Sequence, residues 1–168
     1  MLTPEKILKL CMSQRDEVFG SLGTSGRFNK STPYDPKSPY SAAKASSDHL
    51  ARAWCNTFQV PTIITNCSNN FGPYQNKEKF IPKTIINLVM DNKIPIFGNG
   101  KNIRDWLYVE DHADALWLVM KHGRIGQTYL IGGNNEKDNI DLVKIIISGF
   151  NKLTNDKISF LDCVTFIE

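Results

Sequence analysis

Apolar positions along the chain follow two rhythms, a spacing of three to four residues and short continuous runs, and the two alternate. The first helical pattern runs from Ser41 to Phe58, with Ala42, Ala45, Leu50, Ala53, Trp54 and Phe58 at helical spacing. Its many small residues would let another backbone approach closely. It follows a loop-like stretch from Gly20 to Pro39 rich in Gly, Ser, Thr and Pro. Pro61 then opens Thr62 to Cys67, a run that predicts a buried strand. After Gly72-Pro73, the residues Ile81, Ile85, Leu88 and Val89 mark a second helix, with Pro82 tolerated in its first turn. Ile94 to Phe97 and Ile103 to Val109 flank Gly98-Asn99-Gly100 and predict a strand, a turn and a second strand.

Asp111 to Lys121 predicts a helix with Ala113, Leu116, Val119 and Met120 inward, ended by Gly123 in the left-handed conformation. Thr128 to Ile131 is a short strand, Asn139 or Asp141 caps a helix to about Leu153, and Ile158 to Phe160 is the last expected strand. Strands alternating with helices of this length indicate an α/β architecture built from crossover units.

Composition narrows the function. Twenty basic and 17 acidic residues give a net charge of +3, too small a surplus to hold a phosphate backbone, so nucleic acid is not an expected partner. The longest apolar stretches, such as Leu116 to Met120, are too short to cross a bilayer, and a cytoplasmic protein is expected. Four scattered cysteines, Cys11, Cys55, Cys67 and Cys163, form no C-x-x-C pair. They predict reduced thiols, with neither a metal site nor a disulfide framework.

Tyr40-Ser41-Ala42-Ala43-Lys44 has the Y-x-x-x-K spacing, which puts both side chains on one helix face. An ammonium beside a phenol favours the phenolate, a base able to take a hydroxyl proton while hydride leaves the same carbon. Five tyrosines and 20 basic residues make a chance match common, so the pattern needs its surroundings.

Those surroundings are specific. Ser38 to Leu50 (SPYSAAKASSDHL), Asn66 to Gln75 (NCSNNFGPYQ), Arg104 to His112 (RDWLYVEDH) and Ile131 to Glu136 (IGGNNE) occur in one order and register. Together they resemble the extended short-chain dehydrogenase/reductases, and among these the dTDP-glucose 4,6-dehydratases, over about Asp16 to Phe160. The resemblance implies the C-terminal part of a Rossmann-type doubly wound parallel sheet with part of a smaller α/β substrate domain. Residues 1–75 would be the remnant of the NAD-binding domain and 76–168 a partial nucleotide-sugar region interleaved with it. It also implies NAD as cofactor, dTDP-glucose as substrate, deoxysugar synthesis as the pathway class and a homodimer in the intact family.

The same resemblance assigns roles. Tyr40 and Lys44 would act on the 4-hydroxyl and contact NAD, with Asn70 on the nicotinamide side. Asp16 would protonate the departing 6-hydroxyl and Glu17 would take the C5 proton, although an Asp-Glu doublet in isolation is ordinarily a solvated loop feature. Asn69 and Lys79 would contact sugar and phosphate, Arg104 the diphosphate, Asn139 a polar group nearby, and Pro95 and Phe97 the base. Arg104 suits a diphosphate because its planar fork bonds two oxygens at once. His49 and His112 are expected to cap or pack.

The chain also departs from the family pattern. Arg15 stands where the family has threonine, and a cation there favours ionised Asp16 over the acid form. No Gly-rich turn precedes Asp16, and Met1 to Arg15 does not read as the strand expected there. Leu161 to Glu168 replaces the expected closing segment. A truncated or frame-disrupted dehydratase is the resulting expectation, with a non-catalytic remnant or assembly partner as the alternative function.

Overall fold

The computed structural model describes residues 10–22 and 26–168, with the side chains of 10–16 outside the described set. The elements in chain order are β1 (Leu10–Arg15), a 3-10 turn (Asp16–Phe19), α1 (Pro39–Phe58), β2 (Thr62–Cys67), β3 (Asn69–Phe71) and α2 (Phe80–Val89). They continue with β4 (Ile94–Phe97), β5 (Ile103–Tyr108), α3 (Val109–His122), β6 (Thr128–Ile131), β7 (Glu136–Asp138), α4 (Asn139–Thr154), α5 (Phe160–Cys163) and β8 (Val164–Ile167). Two compact units form, Met1–Asn70 with Leu107–Gly132, and Phe71–Trp106 with Gly133–Glu168.

The first unit is a parallel sheet in the order β1-β2-β6. All six residues of β2 are buried, as a central strand covered on both faces requires. β1 pairs with it from Leu10↔Thr62 to Arg15↔Cys67. This corrects the reading of Met1 to Arg15, because Leu10–Arg15 is a strand. Its sequence alternates poorly, and its conformation comes from pairing with β2 rather than from local pattern.

The buried face of α1 consists of Ser41, Ala45, Asp48, Ala51 and Cys55. The larger apolar residues of that periodic set, Leu50, Trp54 and Phe58, point outward. Ala45 packs with Val18 and Phe19 of the 3-10 turn, and Phe28, Tyr34 and Leu130 close around them.

α3 has no fully buried residue and Ala113 is exposed, so its packed side is shallower than its periodicity predicts. Gly123 does not end α3 in the left-handed region, since its φ is −63° and ψ 147°. Close approach explains the glycine instead: a Cβ there would lie 2.4 Å from the Val119 carbonyl oxygen and 3.0 Å from Ile63 Cδ1.

In the second unit, Leu88, Ile94, Ile96, Val143, Ile147 and Cys163 form the core, with Phe80, Ile140, Phe150 and Ile158 packed against it. β4 pairs in parallel with β8, from Ile94↔Val164 to Phe97↔Ile167, and β5 pairs antiparallel with β7. The two strands flanking Gly98-Asn99-Gly100 therefore take different partners.

The last strand is Val164–Ile167, not Ile158 to Phe160. The backbone N–H of Ile158 donates to Asn151 Oδ1 at 3.1 Å, and its carbonyl accepts from Asn151 Nδ2 at 2.8 Å. One side-chain amide thus satisfies the groups that a strand would have used in a ladder. Ser159 then caps α5. The cap of α4 is Asp138, whose Oδ1 accepts from the Asp141 N–H at 2.7 Å, rather than Asn139 or Asp141.

Cys55, Cys67 and Cys163 are buried, and burial pushes the Cys163 thiol up; the Cys11 side chain lies outside the described residues. No described helix is long and apolar enough to cross a membrane.

Candidate active site

Ligands of open α/β sheets bind beyond the carboxyl ends of the strands. The register Arg15↔Cys67 ends β1 and β2 side by side. Asp16-Glu17 therefore leaves one strand where Ser68-Asn69-Asn70 leaves its neighbour. The 3-10 turn buries Val18 and Phe19 and leaves Glu17 exposed. Gly20 closes the turn at φ +79°, where a Cβ would meet the Asp35 carbonyl oxygen at 2.3 Å, so only glycine fits without rearrangement. The side chains of Arg15 and Asp16 lie outside the described residues.

α1 joins two parallel strands and packs on the 3-10 turn. Its start is fixed by Pro39 and a reciprocal cap: the Ser41 N–H donates to Ser38 Oγ, and the Ser38 N–H donates to Ser41 Oγ, each at 3.1 Å. Tyr40 sits in that first turn, 56% exposed. Lys44, one turn on, holds its Nζ 5.5 Å from the centre of the Tyr40 ring. Among the described residues no carboxylate pairs with Lys44, so its charge is available to a ligand.

Asn70 is oriented by its neighbours. Its Nδ2 donates to the Ser68 carbonyl at 3.2 Å and to Cys67 Sγ at 3.4 Å, which leaves Oδ1 facing His112 Nδ1 at 2.8 Å. With Asn70 Oδ1 as the acceptor, His112 Nδ1 carries the proton and donates. Its Nε2 is buried with no hydrogen-bond partner among the described residues.

Burial pushes His112 below the ordinary histidine range. As pH falls the unfolded chain takes up its proton first, so the stability tied to neutral His112 is complete above about pH 6.5. It is lost as pH drops from there through the folded value. His112→Gln is expected to flatten the fall in urea stability between pH 7.5 and 5. An unchanged pH slope would contradict this.

Five further residues of this unit, Tyr34, Asp48, Arg52, Asn66 and Thr128, escaped the sequence reading as a group. Asp48, wholly buried, accepts from Tyr34 Oη at 2.8 Å and from Asn66 Nδ2 at 2.9 Å through the same oxygen. Burial, then the bond to Asp48 and its charge, push the Tyr34 phenol well above the usual tyrosine range, so it remains a donor. Arg52 donates to Thr128 Oγ1 at 3.0 Å and ties α1 to β6. His49 packs its ring 5.2 Å from that of Tyr34. The pairings span 14, 18 and 76 residues, so no local pattern announces them.

Of the nucleotide-sugar candidates, Asn69 is half-buried at the start of β3 in the first unit, and the others lie in the second. Lys79 is exposed at the N-cap of α2, Pro95 is half-buried in β4, and Phe97 ends that strand 64% exposed. Arg104 is exposed on β5, and Asn139 is the first residue of α4. Asp105, next to Arg104, accepts from the Gly133 and Asn135 N–H groups at 2.7 Å each and so anchors the Gly132-to-Asn135 loop to β5.

Residues 3–161 match the family model described as GDP-mannose 4,6 dehydratase. The chain belongs to that family. Within it, the chain is 51% identical over 158 residues to a dTDP-glucose 4,6-dehydratase of Neisseria meningitidis, covering 91% of this chain and 44% of that protein. It is 48% identical over 161 residues to dTDP-glucose 4,6-dehydratase 1 of Escherichia coli, covering 90% and 45%. The crystal structure of the Bacillus anthracis dTDP-glucose 4,6-dehydratase in complex with NAD superposes with a TM-score of 0.87 at 46% identity, covering 95% of this chain and 49% of that one. The Streptomyces venezuelae enzyme, also with NAD bound, gives 0.88 at 37% identity, covering 95% and 47%. This family member thus spans about half the length of the relatives it matches.

Proposed function

We propose that the protein dehydrates dTDP-glucose to the 4-keto-6-deoxy sugar nucleotide through NAD, as a step of deoxysugar synthesis in the cytoplasm. The observation that carries this reading is the near-50% identity to dTDP-glucose 4,6-dehydratases through both units. The donor set fits NAD on its own terms. Tyr40 and Lys44 share one helix face, Lys44 has no carboxylate partner among the described residues, and Asn70 stands fixed beyond the end of β2. Lys44 would bond the ribose hydroxyls and Asn70 the nicotinamide side.

What NAD supplies when bound is a reversible hydride store for the sugar's C4 and C6. The chain's own residues handle the protons. Tyr40 takes the 4-hydroxyl proton with its phenol oriented by Lys44. The resulting carbonyl acidifies C5, Glu17 takes the C5 proton, and Asp16 protonates the departing 6-hydroxyl. Asn69, Lys79, Arg104 and Asn139 hold sugar and diphosphate, and Pro95 and Phe97 receive the base, whose face stacks on the exposed Phe97 ring. A second copy of the chain covers the outward apolar side of α1 formed by Leu50, Trp54 and Phe58, giving a homodimer.

Arg15, where the family has threonine, favours a second reading, a non-catalytic remnant or assembly partner, because a cation beside Asp16 opposes its role as an acid. Purifying the protein, releasing bound NAD by denaturation and assaying dTDP-glucose for the 4-keto-6-deoxy product tests both readings. Turnover with no other polypeptide present removes the second; no turnover and no bound NAD supports it.

A further inference from the structure

The antiparallel ladder of β5 and β7 sets Arg104 directly opposite Lys137 and Asp105 directly opposite Glu136. Successive strand residues alternate faces, so one face carries two facing cations and the other two facing acids. Like charges directly opposite each other destabilise a strand pair unless something compensates them. The acidic face is compensated within the chain, because both oxygens of Asp105 accept backbone N–H groups, from Gly133 and Asn135.

The cationic face has no such compensation. Among the described residues no carboxylate pairs with Arg104 or Lys137. Arg104 Nη1 donates to the Ile103 carbonyl at 2.8 Å, and Lys137 Nζ donates to Asn135 Oδ1 at 2.9 Å and to the Glu136 carbonyl at 3.1 Å. These are neutral acceptors on adjacent or nearby residues of the same chain, so each cation keeps its full charge for an outside anion.

We propose that Lys137 is a second diphosphate-binding cation, working with Arg104 across the β5–β7 ladder to hold the two phosphates of a nucleoside diphosphate sugar. This rests on the reading of Arg104 given above and adds a residue to it. Two cations on neighbouring strands match an anion whose charges sit on neighbouring phosphorus centres. Arg104 supplies the bidentate fork and Lys137 a point charge on a flexible stem. A monophosphate would satisfy only one of them, so the pair discriminates diphosphate from monophosphate.

Calorimetric titration of the full chain with dTDP and with dTMP tests this. Lys137→Gln is expected to weaken dTDP by roughly five- to tenfold and dTMP by much less, with Lys137→Arg restoring most of the loss. Lys137 is a partly exposed strand residue, and an unchanged melting temperature checks that the variant folds. If Lys137→Gln binds dTDP like the parent while Arg104→Gln loses it, the role of Lys137 is overturned and the reading of Arg104 stands. If the unaltered chain prefers neither nucleotide, both fall.

Discussion

Replacing Tyr40 with phenylalanine is expected to lower dTDP-glucose turnover by about 10²–10⁴-fold, the usual contribution of a positioned general base. Stability should remain within about 0.5 kcal/mol of the parent, because the side chain is largely exposed at the start of α1. The aromatic ring that faces the Lys44 ammonium survives the substitution, so only the phenolic oxygen is removed. Steady-state kinetics and a thermal melt on the same preparation separate the two effects. A Tyr40→Phe protein with parental kcat would show that the 4-hydroxyl proton goes elsewhere.

The second large effect concerns the fold. Asp48→Ala would strip the acceptor shared by Tyr34 Oη and Asn66 Nδ2, leaving donors unsatisfied in a region where Asp48 and Asn66 are almost wholly buried. Each orphaned donor costs about 1–3 kcal/mol, so the expected loss is roughly 2–6 kcal/mol. That is a large part of the 5–15 kcal/mol that typically separates folded from unfolded domains. Urea unfolding measures it. Asp48→Asn retains an oxygen acceptor and should lose less, whereas equal stability of Asp48→Ala and the parent would mean that the cluster does not hold α1 to its sheet.

Much of this was legible in the chain. The helix from Ser41, the strand from Thr62 to Cys67 and the strand from Thr128 to Ile131 follow from periodicity and β-branched runs, and they appear where expected. The family was legible from four motifs in one register. What escaped was set by distant partners. β1 is a strand because β2 offers it a ladder. Ile158 is not in one because Asn151 takes both its backbone groups. The cap of α1 was hidden because Ser41 does the job usually given to Glu or Gln. Asp48 lay in plain view inside a quoted motif, yet its partners Tyr34 and Asn66 are 14 and 18 residues away and on different elements.

The candidate site divides in the same way. Tyr40 and Lys44 could be placed on one helix face from spacing alone. Lys137 could not be singled out, because its meaning comes from the strand register that sets it against Arg104.

The most direct test is to supply the purified protein with dTDP-glucose carrying deuterium at C4 and to locate the label in the product by mass spectrometry and NMR. The expected product is the 4-keto-6-deoxy sugar nucleotide with deuterium on its C6 methyl group, moved within one molecule. A 4-keto sugar with its 6-hydroxyl intact, a C4 epimer, or a 6-deoxy product whose label has gone to solvent would contradict the hydride relay and the proton-handling roles assigned to Tyr40, Asp16 and Glu17.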